Sequence, residues 1–225
     1  MKIIAIIPIK QISRRVPGKN FKLFCGIPLY KYIISNTINS KSFDEIYIDT
    51  DSEEIKDYAL SLNLKIIHRP KELTSDSVNG NDLIVKGYEK INLKADFIFQ
   101  LFATAPLLSH KTIKSCVNEF TSKADEYDSC FTVTEENGWF WFNSQPINYL
   151  PNILPRSQDA PNLTKESTGL YAITEKALLK YKSRIGARPL MYKIPEIESL
   201  DIDTDFEFEF AEFTAKNLKE KTKIL

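Results

Sequence analysis

A chain of 225 residues with thirty basic and thirty acidic side chains carries no net charge, which excludes the broad electrostatic field that binding nucleic acid or an anionic membrane over an extended surface requires. Its length suits one substantial core, so a single α/β domain spanning residues 1–225 with an appended excursion is expected, not two independent domains. Cys25, Cys116 and Cys130 lie far apart with no C-x-x-C pair, and the odd count suits a reducing cytoplasm better than a disulfide framework.

Residues 2–7 are apolar, but Pro8 and Lys10 interrupt the run far short of the ~20 residues that span a bilayer. A buried first strand is expected, with no membrane partner. Short runs rich in β-branched and aromatic residues recur at 3–7, 45–49, 65–67 and 96–99. Between them, apolar residues return at helical spacing over 29–40 just after Pro28, 53–62 behind the cap Ser52, 82–91, and about 112–120 following Ser109. This alternation predicts a Rossmann-like, mostly parallel sheet with helices on both faces. The ligand crevice then lies beyond the carboxyl ends of the strands, where the loops at 8–20, 49–52 and 102–106 converge.

The pattern changes after Cys130. Trp139, Phe140, Trp141 and Phe142 are consecutive, and Pro146, Pro151, Pro155 and Pro161 punctuate an irregular stretch before the strand-like 170–173. A lobe inserted at about residues 134–170 is expected, its aromatics packed on the parent domain or on a second subunit, and a homodimer through it is expected. At the end of the chain, Phe206, Phe210 and Phe213 fall at helical spacing within 205–217 and are read as core.

The loop after the first strand holds Lys10, Arg14, Arg15 and Lys19. Cations gathered in a sheltered crevice neutralise several phosphate oxygens at once and stabilise charge building on a departing pyrophosphate; taken alone, a solvated basic loop is as good a reading. Neither G-x-x-x-x-G-K-[ST] nor G-x-G-x-x-G is present. His68 and His110 are solitary and read as surface or packing residues.

Pro8, Ser13, Pro17, Gly18, Lys19 and Asn20 match P-A-R-G-G-S-K-G-I-P-G-K-N, the signature of the CMP-sugar acid synthetases, the acylneuraminate and 3-deoxy-manno-octulosonate cytidylyltransferases. The resemblance runs along most of the chain. Gly26–Leu29 resembles G-x-P-L, Thr50–Ile55 resembles T-D-D-E-E-I, Arg69–Leu73 resembles R-P-x-E-L, and Thr104–Leu107 resembles T-S-P-L. Arg156–Asp159 is similar to R-x-Q-x, Thr168–Tyr171 to N-G-x-Y, and Ser199–Thr204 to S-I-D-I-D-T.

The resemblance implies a nucleotide-diphospho-sugar transferase fold and transfer of CMP from CTP to a 2-keto-3-deoxy, sialic acid-like sugar acid, with pyrophosphate release, for surface glycan biosynthesis. It implies catalytic roles for Lys10, Arg14, Lys19 and Asp203, and nucleotide contacts from Lys10, Ser13, Arg14, Lys19, Asn20, Arg69 and Ser77, with the turn at 78–80 beside them. Acceptor contacts fall to Phe102, Thr104, Arg156, Gln158 and Thr168. Asp201 and Asp203 are implied to hold a metal, and because alternation along an extended segment points both to one side, they suit Mg²⁺.

Some positions depart from the pattern: Lys10 replaces arginine, Gln11 and Ile12 replace two glycines, Phe102 replaces glutamine, and Thr168 replaces asparagine. If either glycine position demands positive φ, a β-branched Ile12 costs of order a kilocalorie and the loop has to take another path. Two alternatives stay open: transfer to another anionic acceptor such as a phosphonate, and a non-catalytic nucleotide-binding relative.

Overall fold

A computed structural model of the chain describes residues 1–75 and 77–222. The opening apolar run forms β1 (Ile3–Ile9), buried along its whole length. A hairpin of β2 (Leu23–Phe24) and β3 (Ile27–Pro28) follows, then α1 (Tyr30–Ser40), β4 (Glu45–Thr50), α2 (Glu53–Ser61), β5 (Lys65–His68), α3 (Gly80–Glu89), β6 (Phe97–Leu101) and α4 (His110–Ser122). The second half comprises β7 (Ser129–Glu136), the short β8 (Trp141–Phe142) and β9 (Gln145–Pro146), β10 (Leu163–Thr174), α5 (Glu175–Tyr181), β11 (Pro189–Lys193) and α6 (Asp205–Thr222).

Seven strands make one sheet in the order β11-β7-β10-β6-β1-β4-β5. All run the same way except β10, which is antiparallel to both β6 and β7. The side-chain period of two in β1 explains why the sheet needs cover on both faces. Ile3, Ala5, Ile7 and Ile9 join α1 and α4 in one core, while Ile4 and Ile6 pack with Ile84 and Tyr88 of α3 and Leu178 of α5 in another. Helix starts follow local chemistry: Ser52 accepts from the Ile55 N–H, Ser109 from Thr112, and Asn79 with Asp82 completes a reciprocal capping box on α3.

Residues 137–162 project between β7 and β10, whose ladder continues outward to Glu136 and Leu163. Asn148 knits this lobe, taking the Phe140 N–H and donating to the Gly138 and Pro161 carbonyls. Trp139, Trp141 and Phe142 are exposed, so they contribute nothing to the parent core.

The phenylalanine stripe of α6 corrects an expectation. Phe206 is 75% exposed, and Phe210 and Phe213 are exposed with it. Helix α6 instead buries Phe208, Ala211 and Ala215 against Phe24, Leu29 and Ile202. Both stripes have helical spacing, so periodicity alone does not choose between them. Packing chooses, because alanines at 211 and 215 let the helix approach the hairpin while Phe208 meets Phe24 edge-on at 5.7 Å. Phe208→Ala is expected to destabilise the fold by about 3–5 kcal/mol and Phe213→Ser by no more than about 0.5 kcal/mol, as read by urea denaturation.

Candidate active site

A cavity of about 550 Å³ opens beyond the carboxyl ends of β1, β5 and β6, where a mostly parallel sheet places its ligands. Its basic wall is the loop after β1. Gly18 there adopts the left-handed φ of 65° and heads a single 3-10 turn, Lys19–Phe21, which turns Lys19 and Asn20 inward. A Cβ at Gly18 would touch nothing within 4 Å, so what the glycine supplies is torsional freedom and not space.

Lys19 is only 6% exposed. Its Nζ donates to the Ile202 carbonyl at 2.6 Å and lies 3.5 Å from Asp203 Oδ1. Burial pulls its pKa below the usual lysine value, and the charges of Asp203 and Asp201 oppose that shift. Arg15 closes on the same carboxylate, Nη1 to Asp203 Oδ2 at 2.6 Å. Asn20 spends its amide on the Lys10 carbonyl, tying the two ends of the loop, and the Gln11 N–H is held by Asp51. Neither Gln11 nor Ile12 takes a positive φ, and Ile12 points into solvent, so the loop accommodates both without left-handed strain.

Asp201 and Asp203 line the same cavity from an irregular segment that forms no ladder. The alternation holds nonetheless: Ile202 between them is fully buried, and its N–H donates to the Thr104 carbonyl. Glu207, in the first turn of α6, accepts from the Asp203 and Thr204 N–H groups and the Thr204 hydroxyl, which fixes the backbone under Asp203. Buried Asp201 Oδ1 has no hydrogen-bond partner among the described residues.

Lys10, Ser13, Arg14, Lys19 and Asn20 all reach the cavity from the loop after β1; Phe102 and Thr104 reach it from the segment after β6 and Thr168 from β10. Arg69 also reaches it, but its guanidinium is engaged by Asp49, Nε to Oδ1 at 3.1 Å and Nη2 to Oδ2 at 2.9 Å, with both side chains buried. Burial raises the Asp49 pKa and Arg69 opposes the rise. Three expected contacts lie elsewhere. Ser77 is off the wall and hydrogen-bonds Ser75, which is on it. Arg156 is 74% exposed and paired with Asp159 at 2.6 Å, and Gln158 is exposed in the next turn. Both are held by the projecting lobe and do not meet this chain's cavity. Arg15 and Arg184 line the cavity without having been given a role there from the sequence, whereas Val78, Asn79 and Gly80 of the expected turn do reach it. Arg15 was legible as one of four loop cations, whereas Arg184 sits in no motif.

Residues 4–221 match the cytidylyltransferase family. The chain belongs to that family. Within it, the chain is 29% identical over 216 residues to N-acylneuraminate cytidylyltransferase A of Danio rerio, covering 92% of this chain and 49% of that protein. It is 29% identical over 231 residues to the pseudaminic acid cytidylyltransferase of Campylobacter jejuni, covering 96% and 97%. The chain thus spans about half the length of the first relative and nearly all of the second. A solved CMP:2-keto-3-deoxy-manno-octonic acid synthetase complexed with CTP superposes with a TM-score of 0.70 at 17% identity, covering 96% of this chain and 99% of that one. The fold is that of the α/β nucleotide-diphospho-sugar transferases.

The buried Asp49–Arg69 pair gives a direct test of the cavity floor. Arg69→Met strands a buried carboxylate and is expected to cost about 3–5 kcal/mol in urea denaturation at neutral pH. Without Arg69 the Asp49 pKa rises further above its unfolded value, so protonation relieves the strain. The deficit therefore narrows as pH falls through the folded Asp49 pKa, and is smallest in the acid range.

Proposed function

We infer that the chain transfers the cytidylyl group of CTP to the anomeric hydroxyl of a keto-sugar acid, releasing pyrophosphate. The observation that carries this reading is Asp203 held at the cavity wall by Lys19 and Arg15, with the partnerless Asp201 Oδ1 on the same wall. Two carboxylates two residues apart, facing a basic loop, suit a site that gathers a triphosphate. The acceptor class is supported by the relatives, which are named for acylneuraminate and pseudaminic acid.

Asp201 and Asp203 offer hard oxygen donors, and among the described residues no third acidic, histidine or cysteine side chain joins them in a cluster. That donor set fits Mg²⁺, which keeps waters and phosphate oxygens in its other positions. When bound, the ion would neutralise charge at the reacting phosphate. In this reading the acceptor hydroxyl attacks the α-phosphorus in line, and Lys10, Arg14, Arg15 and Lys19 stabilise the departing pyrophosphate. Asn20 holds the loop closed behind them, and Ser13 and Arg69 line the nucleotide side. Phe102, Thr104 and Thr168 face the acceptor.

The same reading includes a homodimer through residues 137–162. Trp141, Phe142, Leu150, Ile153 and Leu154 are each more than half exposed there, an apolar surface of the kind a second subunit covers. Arg156 and Gln158 keep an acceptor role only if the lobe reaches a partner's cavity. A cytoplasmic setting is supported by three unbridged thiols, with the sulfurs of Cys116 and Cys130 3.6 Å apart. Among the described residues no helix is long and apolar enough to cross a membrane.

Pyrophosphate release from CTP, measured with and without Mg²⁺ across N-acetylneuraminate, pseudaminic acid, 3-deoxy-manno-octulosonate and a phosphonate, tests the reaction. Metal-dependent release with a sugar acid is expected, falling at least about 100-fold in Asp203→Ala. CTP binding without turnover on any acceptor would instead favour a non-catalytic relative. For assembly, Phe142→Glu is expected to shift the sedimentation coefficient from dimer to monomer.

A further inference from the structure

Arg184 enters the cavity from the loop between α5 and β11, a different loop from the basic one that follows β1. Its side chain is 22% exposed. Its central guanidinium carbon lies 3.6 Å from the centroid of the Tyr171 ring and 5.9 Å from that of Phe102. A guanidinium laid on an aromatic face keeps its N–H donors in its own plane, directed outward past the ring edge.

The loop that carries it is fixed. The Arg184 N–H donates to Asn81 Oδ1 at 3.0 Å, Gly186 N–H to Ser129 Oγ at 2.8 Å, and Ala187 and Arg188 N–H to the Asp128 carboxylate. Gly80 clears its way, since a Cβ there would lie 2.3 Å from Nη1. The charge partner of Arg184 is Glu166, with Nη2 and Oε1 3.5 Å apart, well beyond the roughly 2.7–2.9 Å of a good charge-assisted hydrogen bond. Glu166 Oε1 is at the same time the acceptor for the Tyr171 hydroxyl.

A half-sheltered cation held on aromatic rings, loosely paired and facing a cavity, calls for an anion. The phosphates already have four cations on the loop after β1, Arg69 is neutralised by Asp49, and the cytosine and ribose of CTP are uncharged. The remaining anion in the reaction is the acceptor's own. We propose that Arg184 binds the carboxylate of the acceptor sugar acid and sets the requirement for an acid, with Tyr171 fixing the guanidinium plane and Glu166 serving as counter-ion until the acid arrives. This rests on the keto-sugar acid reading above.

The alternative is that Arg184 and Glu166 form a structural pair bracing the base of the lobe, and the two ideas part on a pair of variants. If the pair is structural, Arg184→Ala and Glu166→Gln act alike, lowering Tm and leaving both substrate KM values in place. If Arg184 is the clamp, Arg184→Ala raises the acceptor KM about 30-fold or more with the CTP KM unchanged. Glu166→Gln, which removes a competitor for the guanidinium, leaves the acceptor KM unchanged or lowers it. Arg184→Lys keeps the charge but loses the planar fork, and is expected to fall between Arg184→Ala and the parent.

Binding is read apart from turnover, by calorimetry of N-acetylneuraminate, pseudaminic acid and 3-deoxy-manno-octulosonate, and of their methyl esters, against the CMP-loaded protein. Preference of the parent for acid over ester, abolished in Arg184→Ala, supports the clamp even where no pyrophosphate is released, in which case the transfer reading alone fails. Turnover with an acceptor KM unmoved in Arg184→Ala, or a rise confined to the CTP KM, overturns the clamp and leaves the transfer reading standing. Absence of both binding and turnover for every acid in the parent overturns both.

Discussion

A lysine ammonium taken out of water has to find oxygen acceptors, and Lys19 finds them in residues at the far end of the chain, the Ile202 carbonyl and Asp203. Much of the cavity follows from that constraint. Gly18 takes the left-handed conformation that turns Lys19 inward; Ile202 is anchored in the core beside Phe24 and Phe208, so its carbonyl is in place. Glu207 holds the backbone N–H of Asp203 at the entry to α6. The first loop and the last helix, separated by most of the sequence, are therefore joined through one buried charge.

The balance of charge over the whole chain conceals how uneven it is locally. Lys10, Arg14, Arg15 and Lys19 share one loop at the cavity, Asp203 pairs with two of them, and Arg184 joins from the loop before β11. A neutral molecule can concentrate cations in this way because a low-dielectric cleft makes position matter more than total charge. Such a cleft places several cations within reach of one small group of anionic oxygens.

The parts of the fold legible in the sequence were those with strong local signals. The Ile-rich β1, the capped α2 and α4, and the crevice at the strand ends could all be read from period and cap chemistry. Strands β7 and β11 gave no such signal: β7 carries buried Ser129, Thr132 and Thr134 among its apolar residues, and β11 opens with Pro189. The face of α6 was misread because its larger side chains lie outward and its alanines inward. At the site, residues embedded in motif loops were legible together, since one loop carries them. Arg184 was not, because what marks it is an aromatic ring brought alongside by the sheet, and nothing within a few residues of it reports that contact. Arg156 and Gln158 were legible as a motif, but their distance from the cavity is a property of the lobe's path.

The single antiparallel strand also bears on the cavity. Strands β7 and β10 run on past the sheet as a two-stranded stem bearing residues 137–162, and their register shifts between Glu166 and Tyr171. Ladder pairing is regular on either side of that stretch and interrupted within it, and there the Ser167 and Leu170 carbonyls accept from the Thr132 hydroxyl and the Gly169 carbonyl from the Phe102 N–H. Thr168 lies within that stretch and on the cavity wall. The chain's return from residues 137–162 therefore passes through the cavity wall before it rejoins the sheet.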